Sequence, residues 1–97
     1  MQTQSALVAL SALAQESRLA IFRLLVQTGP RGLAASRIAE QLGIAPSSLS
    51  FHLKELAHAE LVVARQEGRF IIYAAQIGSM NALIGFLTEN CCGGAAC

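Results

Sequence analysis

The stretch Leu42–Leu56, Leu-Gly-Ile-Ala-Pro-Ser-Ser-Leu-Ser-Phe-His-Leu-Lys-Glu-Leu, constrains the fold more than any other part of the chain. A helix ends at Leu42, and Gly43 permits the left-handed residue of a tight turn. Pro46 opens a second helix at its first position, where a missing N–H costs nothing. Leu49, Leu53 and Leu56 recur at helical spacing and give that helix a buried stripe. Ser47, Ser48, Ser50, Phe51, His52 and Lys54 fall between the leucines and point elsewhere. A short helix, a glycine turn and a second helix with a polar outer face make a helix-turn-helix, whose second helix can enter a DNA major groove.

Size and composition limit what surrounds this unit. A chain of 97 residues is expected to form one domain, 1–97. Hydrophobic residues make up 54% of it and charged residues 13%, more apolar surface than one small core hides, which points to a homodimer. The net charge is only +1, so attraction to nucleic acid has to come from a local basic patch doubled by dimer symmetry. Residues 1–15 lack the basic segment of a signal peptide, and Ser and Gln interrupt their apolar run. The uncharged stretch Phe70–Thr88 contains Gln76, Gly78, Ser79 and Asn81 and reads as a strand plus part of a helix, not as a membrane span. The expectation is a soluble, cytoplasmic protein with no membrane partner.

Taken in order, residues 4–14 form a helix with Leu7, Leu10, Ser11 and Ala14 on one face, suited to packing against another helix or subunit. Glu16–Thr28 is a second helix, apolar around most of its axis and therefore central, with Arg18, Arg23 and Gln27 reaching solvent. Arg31–Leu33 is a connector. Ala35–Leu42 is the first helix of the helix-turn-helix, weakly capped because Ala34 precedes it. The recognition helix spans 46–59. Leu61–Gln66 and Arg69–Ala74 are β-rich runs, with Glu67-Gly68 read as the turn between them. This hairpin, 61–74, is a wing whose tip carries Arg65 and Arg69. Residues 78–90 form the last helix, with Ile77, Met80, Ile84, Leu87 and Cys91 on one stripe. Helices 4–14 and 78–90 together form the expected dimer interface. The fold class is mainly α with a β-hairpin wing (α+β), in the order α-α-α-α-β-β-α.

Several phrases in this order resemble the ArsR/SmtB family of dimeric winged-helix repressors. They are Ala12-Leu13-Ala14, Ser17-Arg18-Leu19 with Ile21, Ile38-Ala39-Glu40-Gln41-Leu42-Gly43, Leu49-Ser50-Phe51-His52-Leu53-Lys54-Glu55-Leu56, and Gly68-Arg69 at the wing. The resemblance covers roughly residues 6–90. It implies a repressor that binds operator DNA as a dimer and releases it when an inducer, often a metal or metalloid, binds. The family's arsenic and cadmium sites place cysteines in the first helix of the helix-turn-helix, and its zinc site uses Asp and His on the last helix. Ser36–Leu42 carries no cysteine, and the only histidines, His52 and His58, lie in the recognition helix. What remains resembles a branch whose sensing cysteines follow the last helix and which is associated with trivalent arsenic.

All three cysteines, Cys91, Cys92 and Cys97, lie in the tail 91–97. An odd count at one end cannot staple a core. Adjacent α-carbons are about 3.8 Å apart, so the first two thiols can share one soft ion, and Gly93-Gly94 lets the chain return with Cys97. Three thiolates without a histidine or carboxylate suit a trigonal pyramidal centre such as As(III), with Sb(III) and methylated As(III) as further candidates. Zinc or cadmium would want a fourth ligand from a second subunit or water. A thiol-oxidant sensor, with Cys97 pairing to either neighbour, and an incidental cysteine tail stand as alternatives. No permanent cofactor is expected.

For DNA, Ser47, Ser48 and Ser50 can reach phosphates or base edges, His52 can do either, Lys54 reads as a phosphate contact, and the wing residues Arg65 and Arg69 are placed to reach phosphates or the minor groove. Phe51 either touches a thymine methyl or packs inward. A protein-binding winged helix remains the alternative from another class. No catalytic constellation is present, so the chain is not expected to be an enzyme.

Overall fold

The computed structural model describes residues 1–95. Five helices and three short strands follow one another: α1 (Thr3–Leu13), α2 (Glu16–Thr28), β1 (Leu33–Ala34), α3 (Ala35–Leu42), α4 (Pro46–His58), β2 (Val62–Glu67), β3 (Phe70–Ala75) and α5 (Ile77–Thr88), with a 3₁₀ turn at Cys91–Gly94. The expected mainly-α fold with a hairpin wing is present, with one strand more than the sequence signalled.

The core gathers where α2, α3 and α4 meet. Ile21, Phe22 and Leu25 of α2, Ile38 of α3, and Leu49, Leu53 and Leu56 of α4 are buried, joined by Leu61 and Val62 at the base of the wing. Burying one such side chain is worth about 1.5–3 kcal/mol, so the leucine stripe of α4 anchors that helix and frees its other face. The turn before it forms as expected. Gly43 takes φ 63°, and the N–H groups of Gly43 and Ile44 both donate to Ala39 O. The expected weak cap of α3 is also present, since Ala34 makes no side-chain cap bond.

Helix α1 packs through its smallest side chains. Ala6, Ala9 and Ala12 are buried, whereas Leu7 and Leu10 are 54% and 39% exposed. Small residues let α1 approach the core closely, and the leucines are left outside. Helix α5 also leaves large apolar side chains outside: it buries Leu83 and exposes Ile77, Ile84 and Leu87. No single helix among the described residues is long and apolar enough to cross a membrane.

The sheet differs from expectation in two ways. The connector before α3 contributes β1, which pairs antiparallel with β3, giving the order β1-β3-β2. Two residues carry no alternation, so nothing local marks them as a strand; β1 exists only because β3 lies alongside. Gly32 allows that approach. Its φ is 67°, and a Cβ there would stand 2.4 Å from the carbonyl oxygen of Tyr73. The second difference is the hairpin loop. Glu67 pairs with Phe70, so the loop is Gly68-Arg69 and not Glu67-Gly68. A one-residue shift of the loop changes every cross-strand partner, and Arg65 comes to face Ile72, back from the tip.

Candidate nucleic-acid interface and cysteine tail

The outer face of α4 carries the expected polar set. Ser47, Ser48, Ser50, Phe51 and Lys54 are exposed, and His52 is half-buried. The N-cap residue Ala45 makes no side-chain cap bond. Unclaimed N–H groups at a helix start are suited to phosphate oxygens. Phe51 had two readings, and its ring points outward, 56% exposed. It meets the His52 ring edge-on, with centroids 5.7 Å apart and planes at 63°.

His52 has a partner that helix periodicity does not reveal. Arg18 Nη1 stands 3.4 Å from His52 Nδ1, linking α2 to the recognition helix. The expectation that Arg18 simply reaches solvent is therefore corrected. Its Nε donates to Ala12 O at 2.7 Å, and its backbone N–H donates to the Gln15 side chain at 2.8 Å. The phrase Ser17-Arg18-Leu19 was visible in the sequence, but its spatial partner was not.

At the wing, Arg69 is exposed in the two-residue loop. Arg65 is bound into the fold. Its Nη1 donates to Pro30 O at 3.1 Å and its Nη2 to Arg31 O at 2.6 Å, and its Nε pairs with Glu67. Two of these donors tie the wing to the connection between α2 and β1, and the third pairs within the wing. That contact also sets the exposed Arg31, which periodicity did not single out, beside strand β2 of the wing.

The tail begins two residues past Glu89, the C-cap of α5. Asn90 and Cys92 both take left-handed backbone angles, φ 57° and 55°. The turn holds Cys91 Sγ and Cys92 Sγ 3.7 Å apart, both exposed. The two sulfur atoms are near enough to approach one soft centre together. Cys97, the third expected ligand, lies outside the described residues. Among the described residues no group of three His, Cys, Asp or Glu is gathered as a metal site.

A helix-turn-helix with a polar recognition face, a hairpin wing and apolar terminal helices defines a winged helix-turn-helix protein. The known proteins agree. Residues 13–65 match the helix-turn-helix domain family model. The nodulation protein NolR of Rhizobium meliloti is 31% identical over 80 residues, covering 82% of this chain. The chain spans 63% of that relative's length. An ArsR-like transcriptional regulator from Rhodococcus superposes with a TM-score of 0.79 at 27% identity, over 89% of this chain and 78% of that one. HlyU from Vibrio cholerae superposes with a TM-score of 0.73 at 30% identity, over 95% and 99%. The homodimeric winged helix-turn-helix DNA-binding domain of a possible ArsR-family regulator from Mycobacterium bovis gives 0.71 at 29%, over 90% and 81%. The chain belongs to the ArsR family of winged helix-turn-helix transcription regulators.

Proposed function

We propose that the chain is a homodimeric repressor of an arsenic-resistance operon, released from its operator when As(III) binds Cys91, Cys92 and Cys97. The observation that carries this reading is the sulfur pair of Cys91 and Cys92, 3.7 Å apart just past the end of a helix whose exposed stripe is apolar. The relatives support the DNA-binding half of the reading and include regulators of differing named roles, so the inducer rests on the cysteines. In this reading Ser47, Ser48, Ser50, Phe51 and His52 face base edges or phosphates. Lys54 and Arg69 meet the backbone, and Arg65 holds the wing that carries Arg69.

The mechanism is mechanical. The tail follows α5, which with α1 forms the dimer interface. Drawing three thiols onto one centre orders that end and shifts the angle between the two recognition helices. A backbone route back exists. Gln76, at the start of α5, donates its N–H to Leu61 O at 2.8 Å, and Leu61 N–H donates to Leu56 O of α4 at 3.0 Å. Two half-sites must sit about one DNA turn apart, so a small rotation costs operator affinity, and a coupling of about 1–3 kcal/mol is enough.

The test is operator release by the reduced dimer. As(III) is expected to release the wild type, whereas Cys91→Ser and Cys92→Ser stay bound; a Cys91/Cys92 double substitution that still responds would sink the site assignment. Cys97→Ser is expected to lose the response to arsenite and keep one to a monomethylated trivalent arsenical. The second reading is a thiol-oxidant sensor, for which exposed sulfurs close together are equally suited. Release by peroxide with no response to arsenite would select that reading.

A further inference from the structure

We infer that Arg18 is a positioning residue for operator recognition: it holds His52 as the neutral Nε2–H tautomer, so that α4 presents a hydrogen-bond donor of fixed polarity to a base-edge acceptor. The inference rests on the reading of α4 as the DNA-contacting helix.

The polarity follows from what each group can do. A guanidinium carries five N–H donors and no acceptor, and it stays protonated. Arg18 Nη1 is 3.4 Å from His52 Nδ1, so Nδ1 must supply the lone pair. The hydrogen of the neutral ring then resides on Nε2. A second proton, on Nδ1, would remove the acceptor and press two cations together. Arg18 is itself held in place. Its Nε donates to the carbonyl of Ala12 near the end of α1, and its backbone N–H caps onto Gln15. The Phe51 ring, edge-on to His52, bounds the imidazole from its own helix.

A fixed donor has a consequence for specificity. In the major groove, guanine N7 and O6, adenine N7 and thymine O4 accept a hydrogen bond, whereas cytosine N4 and adenine N6 donate one. The hydroxyls of Ser47, Ser48 and Ser50 rotate to donate or accept, so they discriminate weakly. Among the polar side chains on the outer face of α4, a His52 locked by Arg18 is the neutral group with one polarity.

The ring-nitrogen NMR spectrum of His52 in the reduced wild-type dimer at neutral pH tests the tautomer directly. A protonated Nε2 with a bare Nδ1 is expected; the opposite tautomer, or a doubly protonated ring, overturns the proposal. The second arm is a double-mutant cycle on an operator recovered by selection from random duplexes. Arg18→Met and His52→Ala are each expected to weaken binding about tenfold. The double variant should lose no more than His52→Ala alone, and Arg18→Lys, which keeps a donor, should recover the wild-type His52 signals. If Arg18→Met costs the same in the His52→Ala background, its role is structural and the proposal fails. Should Arg18→Met not fold, the wild-type spectrum and Arg18→Lys decide. Lys54→Gln separates the underlying reading. It should weaken binding and lower the salt slope by about 1, and no change in either would overturn α4 as the DNA-contacting helix.

Discussion

Gly32 shows how one residue can be indispensable without belonging to any motif. It is buried, takes a left-handed φ of 67°, and lies where a Cβ would press on the backbone of Tyr73 at 2.4 Å. Backbone cannot rotate away as a side chain end can. Gly32→Ala is therefore expected to destabilise the fold by about 2–4 kcal/mol, the sum of left-handed strain and a forced shift of β3; denaturant midpoints measure it. Gly43, also left-handed, has open space around its Cβ direction, so Gly43→Ala should cost only the conformational strain of about 1 kcal/mol. The sequence marked Gly43 by its place between two helices. It did not mark Gly32, because the constraint comes from a strand about 40 residues away in the chain, as the Leu33–Tyr73 pairing shows. The partners of Arg18 and Arg65 were not legible for the same reason, since spacing shows which face a residue occupies but not what stands opposite.

Among elements, the helices were legible and the sheet was only partly so. Leu49, Leu53 and Leu56 repeat at the helix period, and Pro46 and Gly43 punctuate the unit, so α3 and α4 follow from local chemistry. The wing was recognised from its Val, Ile, Phe and Tyr content, but its loop was placed one residue early. Two residues flank Gly68 symmetrically as turn formers, and only the pairing of Glu67 with Phe70 decides between them. Arg65 then becomes the strut of the wing. It bonds Pro30 O and Arg31 O and pairs with Glu67. Arg65→Gln is expected to speed amide exchange through β2 and β3 by roughly tenfold or more while leaving α2 and α4 protected. Uniform exchange across the molecule would show that Arg65 supports the whole fold and not the wing alone.

For the whole molecule, the apolar excess has a location. The alanines of α1 face inward, and Leu7, Leu10, Ile77, Ile84 and Leu87 remain on the outside of α1 and α5. Exposed apolar side chains on two terminal helices suit an interaction surface, and a second copy is the occupant assigned under the proposed function. Ile84→Asn with Leu87→Asn is expected to convert the dimer to a monomer in sedimentation at micromolar concentration. It should leave the helical signal intact, because neither residue is buried in the protomer core. Operator affinity should fall as dimerisation is lost, since a single recognition helix engages one half-site.

The sequence by itself determined the helix-turn-helix, the helix boundaries to within a residue or two, the presence of a wing and the concentration of thiols at one end. Each of these is written in neighbours within a turn or two of chain, where periodicity, proline and glycine act directly. Tertiary structure decided the third strand, the hairpin register, the bonding of Arg18 and Arg65, and the outward setting of Phe51. These depend on groups brought together from distant parts of the chain, and no local pattern encodes which groups those are. The recognition helix is thus legible from the sequence alone, whereas the partners that orient His52 and the wing beside it emerge only once the chain has folded.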